Sequence, residues 1–180
     1  MQIVVLTGSA HRKGMSALLA EKFMEGAEEA GHEVVRIDTA FKHVHHCLGC
    51  LKCNGGDNPC VLDDDMTAIG QTIEQSDVVV FAFPLYYHLM PMTLKAVLDR
   101  FYAFDKMLVG AHKKAFMFVT GWDASEANFA PMRVWLKSDM DYLQWEIAGE
   151  LNVGGYMTRE ELEQSDYPQK AYEMGKNLKG

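Results

Sequence analysis

Apolar and polar positions along this chain switch between two periods. Gln2 to Thr7 is a short β-branched and apolar run, the pattern of a strand buried on both faces. From Ala17 to Ala30 the apolar residues recur at helical spacing, and Gly31 supplies a helix stop. Glu33 to Asp38 predicts a second strand. Asp77 to Phe83, ended by Pro84, predicts the strongest one. Lys114 to Thr120 reads as a fourth strand, and a weaker segment from Trp145 to Val153 as a fifth. Helical periodicity returns over Met66–Glu74, Thr93–Tyr102, Asn128–Tyr142 and Lys170–Leu178, with Pro91 near the start of the second of these. Strand and helix thus alternate with no repeat, low-complexity tract or linker. The expected fold is α/β: a doubly wound three-layer sandwich on a five-stranded parallel sheet, one domain over residues 1–180. Such sheets bind ligands at the carboxyl ends of their strands, beside the switch point in strand order. The loops after Thr7, Phe83 and Thr120 are therefore where chemistry is expected.

Composition narrows the partners. With 48% hydrophobic and 23% charged residues, the 180-residue chain has material for a sizeable core. Its net charge of −8 argues against a nucleic-acid binder, which needs a basic face. No apolar run approaches the roughly 20 residues of a membrane span, and no leader pattern precedes the first strand, so a cytoplasmic protein without membrane contact is expected. All four cysteines fall between Cys47 and Cys60, a clustering that calls for a chemical reason.

In the first loop, Gly8, Ser9, Gly14 and Ser16 lie between a strand and a helix N-terminus. Hydroxyls and backbone N–H groups placed there, aided by the helix dipole, make an anion site. No Lys-Ser/Thr follows the second glycine, and Ala10 stands where a dinucleotide fingerprint needs glycine. A monophosphate suits such a loop better than a triphosphate. The plainer reading is a tight turn with a serine cap. In the second loop, Pro84 to Met92 carries two tyrosines, His88 and two methionines, an apolar wall with polar tips. It suits a flat conjugated ligand, or else an interface. Thr120, Gly121 and Trp122 are placed to close the same pocket. His88 is either a proton donor there or a packing residue at the rim.

These loops resemble the flavodoxin-like NAD(P)H-dependent FMN reductase family. Gly8-Ser9-Ala10-His11-Arg12-Lys13-Gly14-Met15-Ser16 is similar to its first-loop pattern, and Pro84 through Asp99-Arg100 to its second motif. Ala171 to Lys176 looks like its last helix. The resemblance implies strand order 2-1-3-4-5. It implies FMN as cofactor, with the phosphate on Ser9, His11, Met15, Ser16 and Ala17. The isoalloxazine would lie on Pro84, Leu85, Tyr86 and Tyr87, with Thr120 and Gly121 on its far side. NAD(P)H would deliver a hydride to flavin N5, and the acceptor would be a flavin, quinone, nitro or azo compound, or a redox protein. The family usually has arginine where His11 stands, with Arg12 one place late here, so the phosphate's cationic partner stays open.

The cysteine spacing is Cys47-x2-Cys50-x2-Cys53-x6-Cys60. Three close thiolates wrap an iron–sulfur cube, and Cys60 follows a glycine-bearing turn as the fourth. A structural zinc site more often uses two separated pairs, and a disulfide framework is out of keeping with an acidic enzyme of this size. Zinc or free thiols remain open on spacing alone. The motif resembles that of the iron–sulfur flavoproteins, a branch of the same family. This implies a [4Fe-4S] cluster on Cys47, Cys50, Cys53 and Cys60, and a homodimer or homotetramer in which cluster and flavin approach. His43, His45 and His46 are extra ligands or exposed residues upstream. The acidic run Asp63–Asp65 fits a helix N-terminus better than a Mg²⁺ site. Three functions follow: an FMN-dependent oxidoreductase, a non-enzymatic electron carrier, or a thiol-based metal or redox sensor.

Overall fold

A computed structural model describes residues 1–179. Five strands, β1 (Gln2–Thr7), β2 (Glu33–Asp38), β3 (Val78–Pro84), β4 (Lys114–Gly121) and β5 (Glu146–Gly154), form one sheet in the order β2-β1-β3-β4-β5. Every pairing is parallel. The chain runs outward from β1 to β2 and then returns to β1's other side as β3. The switch point therefore lies between the carboxyl ends of β1 and β3.

The strands read as unbroken apolar runs because helices cover both faces. On one side Ile3, Val5, Val78, Val80, Phe116 and Phe118 pack with Phe23, Ala27 and Ala171. These last come from α1 (Met15–Glu29) and α7 (Tyr167–Lys176), joined there by the short α6 (Arg159–Glu163). The alternate residues Val4, Leu6, Val79, Phe81 and Met117 point the other way. They meet α2 (Met66–Gln75), α3 (Met92–Asp99) and α5 (Glu126–Leu143) through Ile69, Ile73, Leu94, Leu136 and Met140.

Two glycine contacts set how closely these layers approach. Helices α1 and α7 cross at Gly26 and Gly175, where a Cβ on either would run into the other helix's backbone. A Cβ on Gly70 in α2 would strike the Phe104 ring. Phe104 belongs to a stretch that departs from expectation. The helix predicted to Tyr102 stops at Asp99, and the chain tightens into a 3₁₀ turn over Phe101–Phe104 before the short α4 (Asp105–Leu108). Elsewhere the expected elements are found within a few residues of their predicted ends. Helix α1 begins at Met15, and α7 runs Tyr167–Lys176 rather than Lys170–Leu178, with Pro168 in its first turn. Helix α6 was not anticipated. No helix among the described residues is long and apolar enough to cross a membrane.

Candidate functional site

The first loop is built by backbone. Gly8 N–H donates to the Ala82 carbonyl (2.9 Å), fixing the end of β1 to β3. Buried Ser9 turns its Oγ to accept from His11 N–H at 3.0 Å, and Gly14 N–H closes the turn on the His11 carbonyl at 3.0 Å. The helical ladder opens with Leu18 N–H on the Gly14 carbonyl, so the N–H groups of Met15, Ser16 and Ala17 lie ahead of it. They head a 15-residue helix whose dipole favours an anion. The serine-cap reading fails here. The N-cap is Gly14, extended and without a side-chain bond, while Ser16 is buried inside the first turn.

Behind this loop, Asp38 at the end of β2 accepts from Thr7 Oγ1 (2.6 Å), Arg36 Nε (2.7 Å) and Arg12 Nη1 (2.9 Å). Partial burial works against the Asp38 charge, yet these bonds outweigh it and hold the carboxyl below its ordinary value. Arg12 also stacks 3.8 Å over the Phe41 ring. It thus links the loop to the second strand while remaining exposed, as His11 and Lys13 are.

Of the residues expected to hold a ligand, Ser9, His11, Met15, Ser16, Pro84, Tyr86 and Thr120 line one cavity of about 730 Å³. Ala17, Leu85, Tyr87 and Gly121 are not in its wall. Met157 and Arg159 complete the lining from the segment after β5, which sequence reasoning missed. The signal was available, since that segment leaves the same edge of the sheet. Arg159 reaches across to donate to Glu21 Oε2 (2.8 Å) and the Lys13 carbonyl (3.4 Å).

The second loop is a tight reversal. Tyr86 N–H bonds the Leu89 carbonyl (2.9 Å) and Leu89 N–H bonds the Tyr86 carbonyl (3.2 Å). Between them Tyr87 (φ 50°) and His88 (φ 64°) are both left-handed, a turn that ordinarily uses Asn-Gly. Each such residue costs about 1–2 kcal/mol. The turn leaves the Tyr87 side chain 99% exposed. Asn128 donates to the Asp123 carbonyl (2.7 Å), so its Oδ1 faces His88 Nδ1 at 2.9 Å and accepts from it. His88 therefore sits outside the cavity wall, clamped by α5, and Trp122 projects into solvent.

The cysteine loop is built differently. Cys53 is buried, Cys47 and Cys60 half-buried, and Cys50 exposed, all four as free thiols. Together with Leu62, Arg100 and Tyr102 they line one small enclosed cavity. Positive φ at Gly49, Leu51, Asn54, Gly55 and Gly56 coils the chain tightly enough to gather them. Among the described residues, no three His, Cys, Asp or Glu side chains converge on one ion position. A cube is ligated at separate corners, so the four thiols suit it as a donor set, while their cavity of about 30 Å³ is water-sized and must widen to admit one. His43, His45 and His46 are exposed, and the last two stack at 4.2 Å outside that cavity.

The acidic run does cap α2, as Asp64 Oδ1 accepts from Met66 N–H (3.1 Å). Its larger task is to stitch the loop down. Asp64 takes Arg100 Nη1 at 2.9 Å and Nη2 at 3.2 Å, and also His45 N–H at 2.9 Å. Arg100 Nη1 returns to the His45 carbonyl (3.1 Å), and Asp65 Oδ2 accepts from His43 N–H (2.7 Å). Burial opposes the Asp64 charge, but Arg100 and the backbone N–H groups prevail and depress its pKa.

About 100 residues are 30% identical to an iron–sulfur flavoprotein of Archaeoglobus fulgidus, covering 56% of this chain and 45% of that protein. An iron–sulfur flavoprotein of Methanosarcina thermophila is 31% identical over 56% of this chain and 52% of its own. The chain spans about half the length of the curated relatives it matches. The fold is shared with the NAD(P)H:quinone oxidoreductase of Methanothermobacter marburgensis (TM-score 0.70, 20% identity, 100% of this chain and 96% of that one). It is shared too with an FMN-dependent NADH-azoreductase of Bacillus anthracis solved with FMN (TM-score 0.73, 14% identity, 99% of each chain). Residues 1–133, which carry the first loop, the cysteine loop and the second loop, match the NADPH-dependent FMN reductase family, an oxidoreductase family to which this chain belongs.

Proposed function

We propose that the protein is an FMN-dependent oxidoreductase that takes electrons from NAD(P)H. The observation that carries this reading is the single cavity at the switch point, walled by the helix-capped loop on one side and by Pro84, Tyr86 and Thr120 on the other. Bound there, FMN supplies hydride acceptance and one- or two-electron release, chemistry that no side chain of the chain offers. The N–H groups of Met15, Ser16 and Ala17 and the hydroxyls of Ser9 and Ser16 bind the phosphate. Lys13 and Arg12 are the cations nearest the phosphate, Arg12 giving one N–H to Asp38 while lining the cavity, and His11 adds a ring N–H. Pro84 and Tyr86 seat the ring with Thr120 opposite, and Leu85, Tyr87 and Gly121 flank that wall from outside it. His88, held by Asn128, stands at the rim as a candidate proton donor.

Cys47, Cys50, Cys53 and Cys60 hold a [4Fe-4S] cluster in this proposal, supported by their common cavity and by the relatives named iron–sulfur flavoproteins. The final acceptor is a quinone, flavin, nitro or azo compound, or a redox protein. Exposed Leu48, Leu51, Met92 and Trp122 support a homodimer or homotetramer, placed in the cytoplasm.

The test is anaerobic purification, flavin loading and titration with NADH and NADPH, followed by steady-state assays with quinone and nitro acceptors. Flavin binding, bleaching by the nucleotide and turnover are expected. Failure to bind flavin would overturn the reading in favour of a thiol-based sensor. Binding without turnover would favour a pure electron carrier.

A further inference from the structure

Arg100 ends α3, and its guanidinium is 2% exposed. Of its donors, Nη1 serves Asp64 and the His45 carbonyl, and Nη2 serves Asp64. Nε is the exception. It is fully buried and has no partner among the described residues. A charged group's N–H left unsatisfied in a protein interior is rare enough to need a reason. Arg100 is also one of the few polar side chains in the wall of the cavity that the four cysteines share.

We infer that Arg100 Nε–H is a hydrogen-bond donor to a sulfur atom of the cluster held by those cysteines, an inference that rests on the cluster reading above. Two observations point to a ligand here independently: the four thiols around one cavity, and the orphaned donor carried by Arg100, a side chain that lines it. A four-thiolate iron–sulfur cube carries net negative charge, and sulfur accepts hydrogen bonds from buried N–H groups. The Asp64 carboxylate already balances the guanidinium charge, so what Arg100 offers the cavity is mainly one directed N–H. Such a bond favours the more negative, reduced cluster and raises its reduction potential. Arg100 thus has two separable duties. Its Nη groups clasp the loop through Asp64, and its Nε tunes what the loop holds.

The purely structural alternative is that Arg100 only braces Asp64. Two measurements separate them. In protein labelled with ¹⁵N-arginine, the reduced cluster's electron spin should show a ¹⁵N hyperfine coupling, a readout that needs no variant. In Arg100→Lys, a cation still pairs with Asp64 but the Nε–H is gone. Iron and sulfide per chain should stay at the wild-type level, the midpoint potential should move negative, and FMN affinity should stay within twofold. Absence of the arginine coupling overturns the inference, as does a lysine variant whose potential matches the wild type. If the lysine variant fails to fold, the coupling decides alone. Wild-type protein that takes up no iron and sulfide on anaerobic reconstitution overturns the cluster reading itself, and is distinguishable because no cluster spectrum appears at all.

Discussion

The first loop, at the carboxyl end of β1, and the cysteine loop, between β2 and α2, are held by opposite means. Gly8 to Ser16 is short, continuous with β1 and α1, and shaped by main-chain bonds to Ala82, His11 and Gly14. The N–H groups of Met15, Ser16 and Ala17 that head α1 are backbone, which truncating a side chain does not remove. Residues 47–60 contain no strand or α-helix and bend through left-handed positions. They are tied to the body of the protein chiefly by one buried ion pair, Asp64–Arg100, and by His45 between them. A site made of backbone stands ready for its ligand. A site made of side chains on a coiled loop depends on a few contacts, and those contacts are where it breaks.

The largest expected effect follows directly. Asp64→Ala leaves the Arg100 charge buried and alone, and should cost about 3–5 kcal/mol in chemical denaturation. The pH dependence has a definite sign. Because the folded-state pKa of Asp64 lies below its unfolded value, the pair's contribution is full above about pH 4 and fades as pH falls through the depressed value. The stability gap between wild type and Asp64→Asn should therefore be flat near neutrality and narrow in acid. A gap that widens in acid would contradict the pairing.

The next test strikes the first loop from behind. Gly26→Ala pushes a methyl into the α7 backbone at Tyr172 and should cost roughly 1–3 kcal/mol, read as a fall in the urea midpoint. Flavin affinity should drop with it, while iron content stays unchanged. Loss of iron instead would show the two regions to be one cooperative unit. Ser9→Ala removes the acceptor for His11 N–H and should weaken FMN binding about tenfold, or about 1.4 kcal/mol, by flavin fluorescence titration. Tyr87→Asn puts a residue tolerant of left-handed backbone into the strained turn. It should stabilise the protein by roughly 1 kcal/mol while weakening flavin binding, the signature of strain retained for function. The smallest effect is expected at the exposed Lys106–Asp57 pair, which touches the cysteine loop from outside. Lys106→Ala should leave the denaturation midpoint in place, and a clear loss would mean that surface ion pairs also secure the loop.

The same contrast governs how much was legible in the sequence. All five strands and the first loop's strand-turn-helix are written in local pattern, because a doubly covered parallel strand must be an apolar run and glycines mark the turn before the helix. The cysteine spacing was equally plain. What holds that loop was not. Asp64 reads as a helix cap, and is one, but its partner Arg100 lies 36 residues away at a helix end with nothing local to mark it. Arg159 escaped for a related reason, since α6 is a short helix whose first residue reaches 138 positions back to Glu21. The end of α3 was misplaced because Phe101 and Phe104 keep helical spacing while a 3₁₀ turn lays Phe104 on Gly70. Contacts between distant segments leave no periodicity to read.

The crossing of α1 and α7 carries a consequence for the order of events during synthesis. Helix α1, whose first turn carries N–H groups outside the helical ladder, is seated 11 residues further on at Gly26 against backbone made some 150 residues later. A nascent chain that has already exposed Gly8 to Ser16 outside the ribosome lacks the support that fixes α1 in place. The seating of α1 is therefore complete only once Tyr167–Lys176 has emerged and docked, long after residues 47–60 have left the ribosome.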